Sequence, residues 1–132
     1  MTSSDRPGAP FVRRPRQETP DPVNHAEENV RTELSCILLR ARSVASSRRD
    51  EFVDGSVAYD VASMVIIRLA SLTERSEFSP WAELLSSQEI AAIRATRNIA
   101  AHAGYAVMND ELFWEAVTVS VPEIVERLLN RG

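Results

Sequence analysis

Lysine is absent from the 132 residues, cysteine occurs once, glycine only four times, and no apolar run approaches the ~20 residues that span a bilayer. Each scarcity excludes something. The single thiol, Cys36, cannot close an internal disulfide, and its place beside Ile37 and Leu38 in a helical apolar pattern reads as packing in a reduced protein. The glycines are scattered and none supplies Gly-x-x-x-x-Gly-Lys, which excludes nucleotide hydrolysis by a phosphate loop. Histidine occurs only as His25 and His102, without paired cysteines or a histidine–carboxylate cluster at zinc spacing, so neither metal nor cofactor is expected. The amino terminus lacks the apolar centre of a secretory signal, and a cytoplasmic location is the expectation.

Because lysine is missing, all 15 basic residues are arginine, a bias that a GC-rich genome explains as readily as phosphate recognition does. They face 19 acidic residues, giving a net charge of -4 and a pI of about 5.2. A chain of this balance does not coat itself in basic charge, so any contact with nucleic acid must be local.

What is present is the composition of one globular domain, with 44% hydrophobic residues. Residues 1–23 stand apart: they hold five of the seven prolines and Arg6, Arg13, Arg14 and Arg16 with no apolar periodicity, and read as a disordered tail. The folded domain is expected over 24–132. Asn24 with Glu27 forms a capping-box pattern, and Val30, Leu34, Ile37, Leu38, Ala41, Val44 and Ala45 recur at helical spacing, giving a first helix to about Ser47. A polar stretch, Arg48 to Gly55, precedes a second helix striped by Val57, Val61, Met64, Val65, Leu69 and Leu72. Ser79-Pro80 reads as an N-cap and first-turn proline opening a short connector through Trp81, Leu84 and Leu85.

Ser86 and Glu89 form another capping box, opening a third helix through Ile90, Ile93 and the run Arg97-Asn98-Ile99-Ala100-Ala101-His102 up to Gly104. Asn109 caps a fourth helix with Asp110 and Glu111 in its first turn, followed by Leu112, Phe113, Ala116 and Val117. Pro122 either kinks that helix or starts a new one capped by Ser120 and Glu123. Trp81 and Trp114 sit beside apolar helix positions and read as core or interface. The fold expected is all-α, a bundle of four main helices with short connections.

The Arg97 to Tyr105 run is where chemistry concentrates. Arginine carries a permanent charge and a planar donor fork that suits phosphate, while histidine exchanges a proton near neutral pH. On one helix Arg97 and His102 are ~7.5 Å apart along the axis and point ~140° away from each other. Asn98 and His102 share a stripe with Arg94, so Asn98 is placed to orient the imidazole, while Arg97, Ala101 and Tyr105 form the neighbouring stripe. Small residues at 100, 101 and 103 leave room for a substrate or another helix. Arg97 also follows Ile90 and Ile93 on the core-facing stripe, where a cation needs a partner. Spacing therefore leaves a second reading open, in which Arg97 pairs with an acid of helix two or four and His102 merely closes a helix end.

The residues resemble the HEPN superfamily, and within it the HepT-like branch of ribonuclease toxins encoded beside minimal nucleotidyltransferase antitoxins. The likeness spans roughly residues 25–131. It includes Pro80-Trp81, Arg97-Asn98 with His102, Tyr105, Phe113-Trp114-Glu115, and Val117-Thr118 leading to Pro122-Glu123. The resemblance implies an up-down four-helix bundle with a short connector. It also implies a metal-independent RNase site of Arg97 and His102, supported by Asn98, formed where two protomers of a homodimer meet. In the branch, the nucleotidyltransferase antitoxin transfers AMP to a tyrosine shortly after the histidine. Tyr105 is the matching residue, with Ala103 and Gly104 intervening where one residue is usual. The implied function is an endoribonuclease toxin that cleaves RNA in the cytoplasm. Two alternatives stand beside it: a noncatalytic HEPN-type binding protein or antitoxin that docks a nucleotidyltransferase, and a purely structural helical dimerisation module.

Overall fold

The structure, a computed structural model, describes residues 22–101 and 109–131. Among these residues every regular element is helical and no strand forms. The elements are α1 (Pro22–Ala45), α2 (Val57–Thr73), α3 (Ser79–Ala82), α4 (Ser87–Ala101), α5 (Asp110–Glu115) and α6 (Val121–Leu129), with short 3-10 turns at Arg49–Glu51 and Ser76–Phe78. α1 begins at Pro22, so the last two residues of the expected tail belong to the helix, where a proline at the first turn is well tolerated. The rest of that tail lies outside the described residues.

Capping chemistry explains several of the boundaries. The Ser86–Glu89 box forms as expected: the Glu89 N–H donates to Ser86 Oγ at 3.0 Å, and the Ser86 N–H donates to Glu89 Oε1 at 2.9 Å. Asn109 Oδ1 accepts from the N–H groups of Glu111 and Leu112 and opens α5. Ser56 Oγ does the same for Tyr59 at the start of α2, after Gly55 turns the chain at φ 98°. Ser79 is not the cap of α3: it already has helical dihedrals, and Phe78 holds the cap position without a side-chain bond.

Pro122 neither restarts a helix nor breaks one. The chain stays helical from Asp110 to Leu129, passing through a π turn at Ala116–Ser120 in which the Val121 N–H reaches back five residues to the Ala116 carbonyl. Proline lacks an N–H and crowds the carbonyl four residues before it. The wider turn immediately upstream accommodates both defects, so the Ser120 cap is unnecessary and does not form.

α2 packs against both α1 and α4, and α1 also packs against α6. The α1 stripe is buried as expected from Val30 to Val44, although Ala45 is exposed. On α2 the phase differs: Val65, Leu69 and Leu72 are buried, but Val57 and Met64 are exposed, and Tyr59, Ala62, Ile66 and Ala70 complete the inner face. α2 meets helices on two sides, so its apolar arc is wider than one stripe. Arg68 donates twice to Glu33 at 2.8 Å, joining α2 to α1 and holding the Glu33 carboxyl below its ordinary range. Arg127 bonds Glu89 and the Leu84 carbonyl, joining α6 to the start of α4, and lowers the Glu89 pKa likewise. Arg31 closes the far end by donating to the Leu129 and Arg131 carbonyls.

The 48–55 stretch is not merely polar. Its 3-10 turn delivers Phe52, fully buried, into an aromatic cluster with Tyr59, Phe113 and Trp114, whose ring centroids lie 5.1 to 5.5 Å away. This cluster fixes the α1–α2 connection against the start of α5. Phe52→Ala is expected to cost about 3–5 kcal/mol in urea unfolding, while exposed Val53→Ala should stay within about 0.5 kcal/mol. Equal effects at the two positions would refute this account of the connection.

Candidate functional site

Arg97 and Asn98 lie on the last described turns of α4, a helix that buries little of itself: only Ile93 and Ala100 are inaccessible. Ala91, Ala92, Ala95, Ile99 and Ala101 remain at the surface. Small apolar residues favour the helix but need a neighbour to bury them. His102 and Tyr105, the other two residues singled out from the sequence, lie outside the described residues.

The arginine has the acidic partner that its place on the helix demands. Arg97 Nη2 lies 3.5 Å from Glu74 Oε2, and the same oxygen is 3.6 Å from Nε of Arg94. Glu74 follows the last residue of α2, its N–H bonded back to the Ser71 and Leu72 carbonyls. The acid does come from the second helix, as one reading of the spacing anticipated. It is not a buried counter-ion, however. The side chains of Arg97 and Glu74 are 28% and 41% exposed, so water screens the pair and substrate can reach it.

Asn98 turns its amide oxygen to Arg97, accepting from Nε at 3.0 Å. The oxygen on which an imidazole N–H would have been oriented is thus engaged, leaving the amide NH₂ of Asn98 as the donor for any other partner. With Asn98 on Nε and Glu74 on Nη2, one edge of the guanidinium is taken. Among the described residues, no acceptor meets Arg97 Nη1. Among the described residues, two guanidinium charges, Arg94 and Arg97, share the single carboxylate of Glu74, which leaves this patch more basic than an otherwise acidic protein would suggest.

Such a patch can bind an anion through a planar donor fork and stabilise negative charge that develops on it. Among the described residues its ionisable proton acceptor is the Glu74 carboxylate, which the two arginines engage, and the nearest imidazole in sequence is His102. A groove of about 380 Å³ lined by Ser43, Ser47, Arg48 and Val57 lies at the opposite end of α2 and shares none of these residues. Trp81 is 1% exposed and packs against Phe78 in the core, while Trp114 is partly buried and packs against Phe52 at the core's edge.

Sequence reasoning missed the identity of Glu74. No local spacing links a residue after α2 to one near the end of α4; only the packing of those helices brings them together. No helix of the described residues is long and apolar enough to cross a membrane. No protein-family model, curated protein or solved structure matches the chain.

Because the Arg97 ion pair is half-exposed, Arg97→Ala should shift unfolding stability by no more than about 1 kcal/mol. A thermal melt resembling that of wild type makes the variant a clean probe of function. A collapse in stability would instead show Arg97 to be structural.

Proposed function

We propose that the chain is a metal-independent endoribonuclease toxin of the HEPN type, acting in the cytoplasm as a homodimer and neutralised by a nucleotidyltransferase antitoxin. The observation that carries the reading is the Arg97-Asn98 pair on the last described turns of α4, where Arg94 and Arg97 share one carboxylate, four residues before His102 in the sequence. In this reading α1, α2, α4 and the continuous α5–α6 helix are the four helices of an up-down HEPN-like bundle, and α3 is its connector. The small surface residues of α4 suit close approach by a second copy.

Chemistry supplies the roles. His102 takes the proton of a ribose 2′-hydroxyl, whose oxygen attacks the adjacent phosphorus; the bond to the 5′-oxygen breaks, that oxygen leaves as a 5′-hydroxyl by taking a proton from the imidazolium or from water, and a 2′,3′-cyclic phosphate remains. Arg97 holds the charge that builds on the nonbridging oxygens. Only RNA carries that internal nucleophile, so no metal is needed to generate one. On an ideal helix Arg97 and His102 would point apart, and a two-fold axis would ease this by setting Arg97 of one protomer beside the partner's His102. AMP on Tyr105 would add a bulky anion next to the arginine and block RNA by charge and volume.

The Arg97–Glu74 ion pair favours a second reading, a noncatalytic HEPN-type protein or antitoxin in which Arg97 is structural and the bundle serves only to dock a nucleotidyltransferase.

Induced in a bacterium without its partner, the wild-type chain should arrest growth and fragment total RNA, while Arg97→Ala and His102→Ala, equally soluble, should do neither. Normal growth and intact RNA with all three proteins would leave the docking reading standing. After coexpression with the neighbouring nucleotidyltransferase, peptide mass spectrometry should place one AMP on Tyr105. Suppressed toxicity with Tyr105 unmodified would remove that part of the proposal.

A further inference from the structure

We propose that Arg94 joins Arg97 in gripping one phosphodiester, and that the Glu74 carboxylate stands in for the phosphate until RNA displaces it. The inference rests on the nuclease reading and adds to it a second phosphate-binding residue and an internal competitor.

A single oxygen, Glu74 Oε2, meets both arginines at nearly equal distance, 3.5 Å to Arg97 Nη2 and 3.6 Å to Arg94 Nε. Two guanidinium groups converging on one anionic oxygen is the arrangement that a phosphate oxygen requires. Arg94 and Arg97 are three positions apart on α4 and therefore neighbours on its surface. Two cations so placed repel each other, and the shared carboxylate keeps both turned toward the same point.

The contact is built to exchange. Its distances exceed the 2.7–2.9 Å of a strong charge-assisted bond, and the side chains of Arg94, Arg97 and Glu74 are 51%, 28% and 41% exposed. The Arg68–Glu33 pair in the same chain shows the contrasting case, with two bonds of 2.8 Å to a carboxylate only 14% exposed. The Glu74 backbone is held by its N–H bond to the end of α2, so its side chain can turn away from the arginines without moving the helix. A phosphodiester entering from solvent meets two arginines already aimed at one point, and it takes the place of an anion that water has weakened.

The test is binding of a labelled 2′-O-methyl RNA oligonucleotide, which lacks the attacking hydroxyl, to the full chain by fluorescence anisotropy across a salt series. Arg94→Gln and Arg97→Gln should each weaken binding, and the two substitutions together should lower the log–log salt slope by about 0.7, the value for one phosphate contact on a single strand. Glu74→Gln should tighten binding roughly two- to fivefold, the range of a lost surface charge pair. Glu126→Gln removes the same charge from α6, where it pairs with Arg42, and should leave affinity at the wild-type value. Unchanged affinity in Arg94→Gln, no tightening in Glu74→Gln, or equal tightening in Glu126→Gln would overturn the inference. Its failure can be told from failure of the nuclease reading. Binding that only Arg97→Gln reduces overturns the shared grip alone, whereas absence of binding by every protein, wild type included, overturns both.

Discussion

α2 is buried between α1 and α4, and the other helices take their places from that packing. Seven of its residues, from Tyr59 to Leu72, are inaccessible, and they contact helices that precede and follow it in the chain. Such burial removes apolar area from water at roughly 25 cal/mol per Å², which makes this helix the element around which the others are placed. Its start carries Tyr59 into the aromatic cluster with Phe52 and Phe113, and its end carries Glu74 to the arginines of α4. One packed helix thus links the connection at one end to the candidate site at the other.

The candidate site illustrates how an acidic protein can present a basic surface. The net charge of -4 opposes any anion at long range, and the local geometry at Arg94 and Arg97 acts at short range, where a few ångströms of approach outweigh distant charges screened over about 8–10 Å. The ion pairs of the fold follow the same logic from the opposite side. Arg68 with Glu33 and Arg127 with Glu89 are tight, bridge helices and neutralise each other, whereas Arg94 and Arg97 share one loosely held carboxylate. Residue type is the same throughout, and what separates the two kinds of pair is distance, 2.8 and 3.0 Å in the bridging pairs against 3.5 and 3.6 Å at Glu74.

The π turn before Pro122 has a comparable role in the architecture. A restart at Ser120 would have left Phe113 and Val117 on one helix and Ile124, Val125 and Leu128 on another, free to diverge. Keeping the chain helical through Ala116–Ser120 lets all five reach the same core. The cost of a wide turn is small beside the apolar area it keeps buried.

Much of the fold was legible in the residues themselves. Helical periodicity, the Ser86–Glu89 box and the Asn109 cap act over three or four positions, and local hydrogen bonds and side-chain spacing determine them without reference to the rest of the chain. The Arg97-Asn98 pair and its place near the end of α4 were legible for the same reason. Phe52 was hidden because a lone aromatic among charged neighbours has no period to announce it, and its burial comes from Tyr59 across the turn into α2 and from Phe113 and Trp114 on α5, far away in sequence. The inner face of α2 was only half visible, since a helix covered on two sides buries residues that a single stripe does not include. Local chain chemistry sets which segments coil into helices, where α2, α4 and α5 start, and which residue types sit near the end of α4. Only tertiary structure decided that Glu74 meets Arg94 and Arg97, because that contact depends on how two helices pack and on no spacing within either.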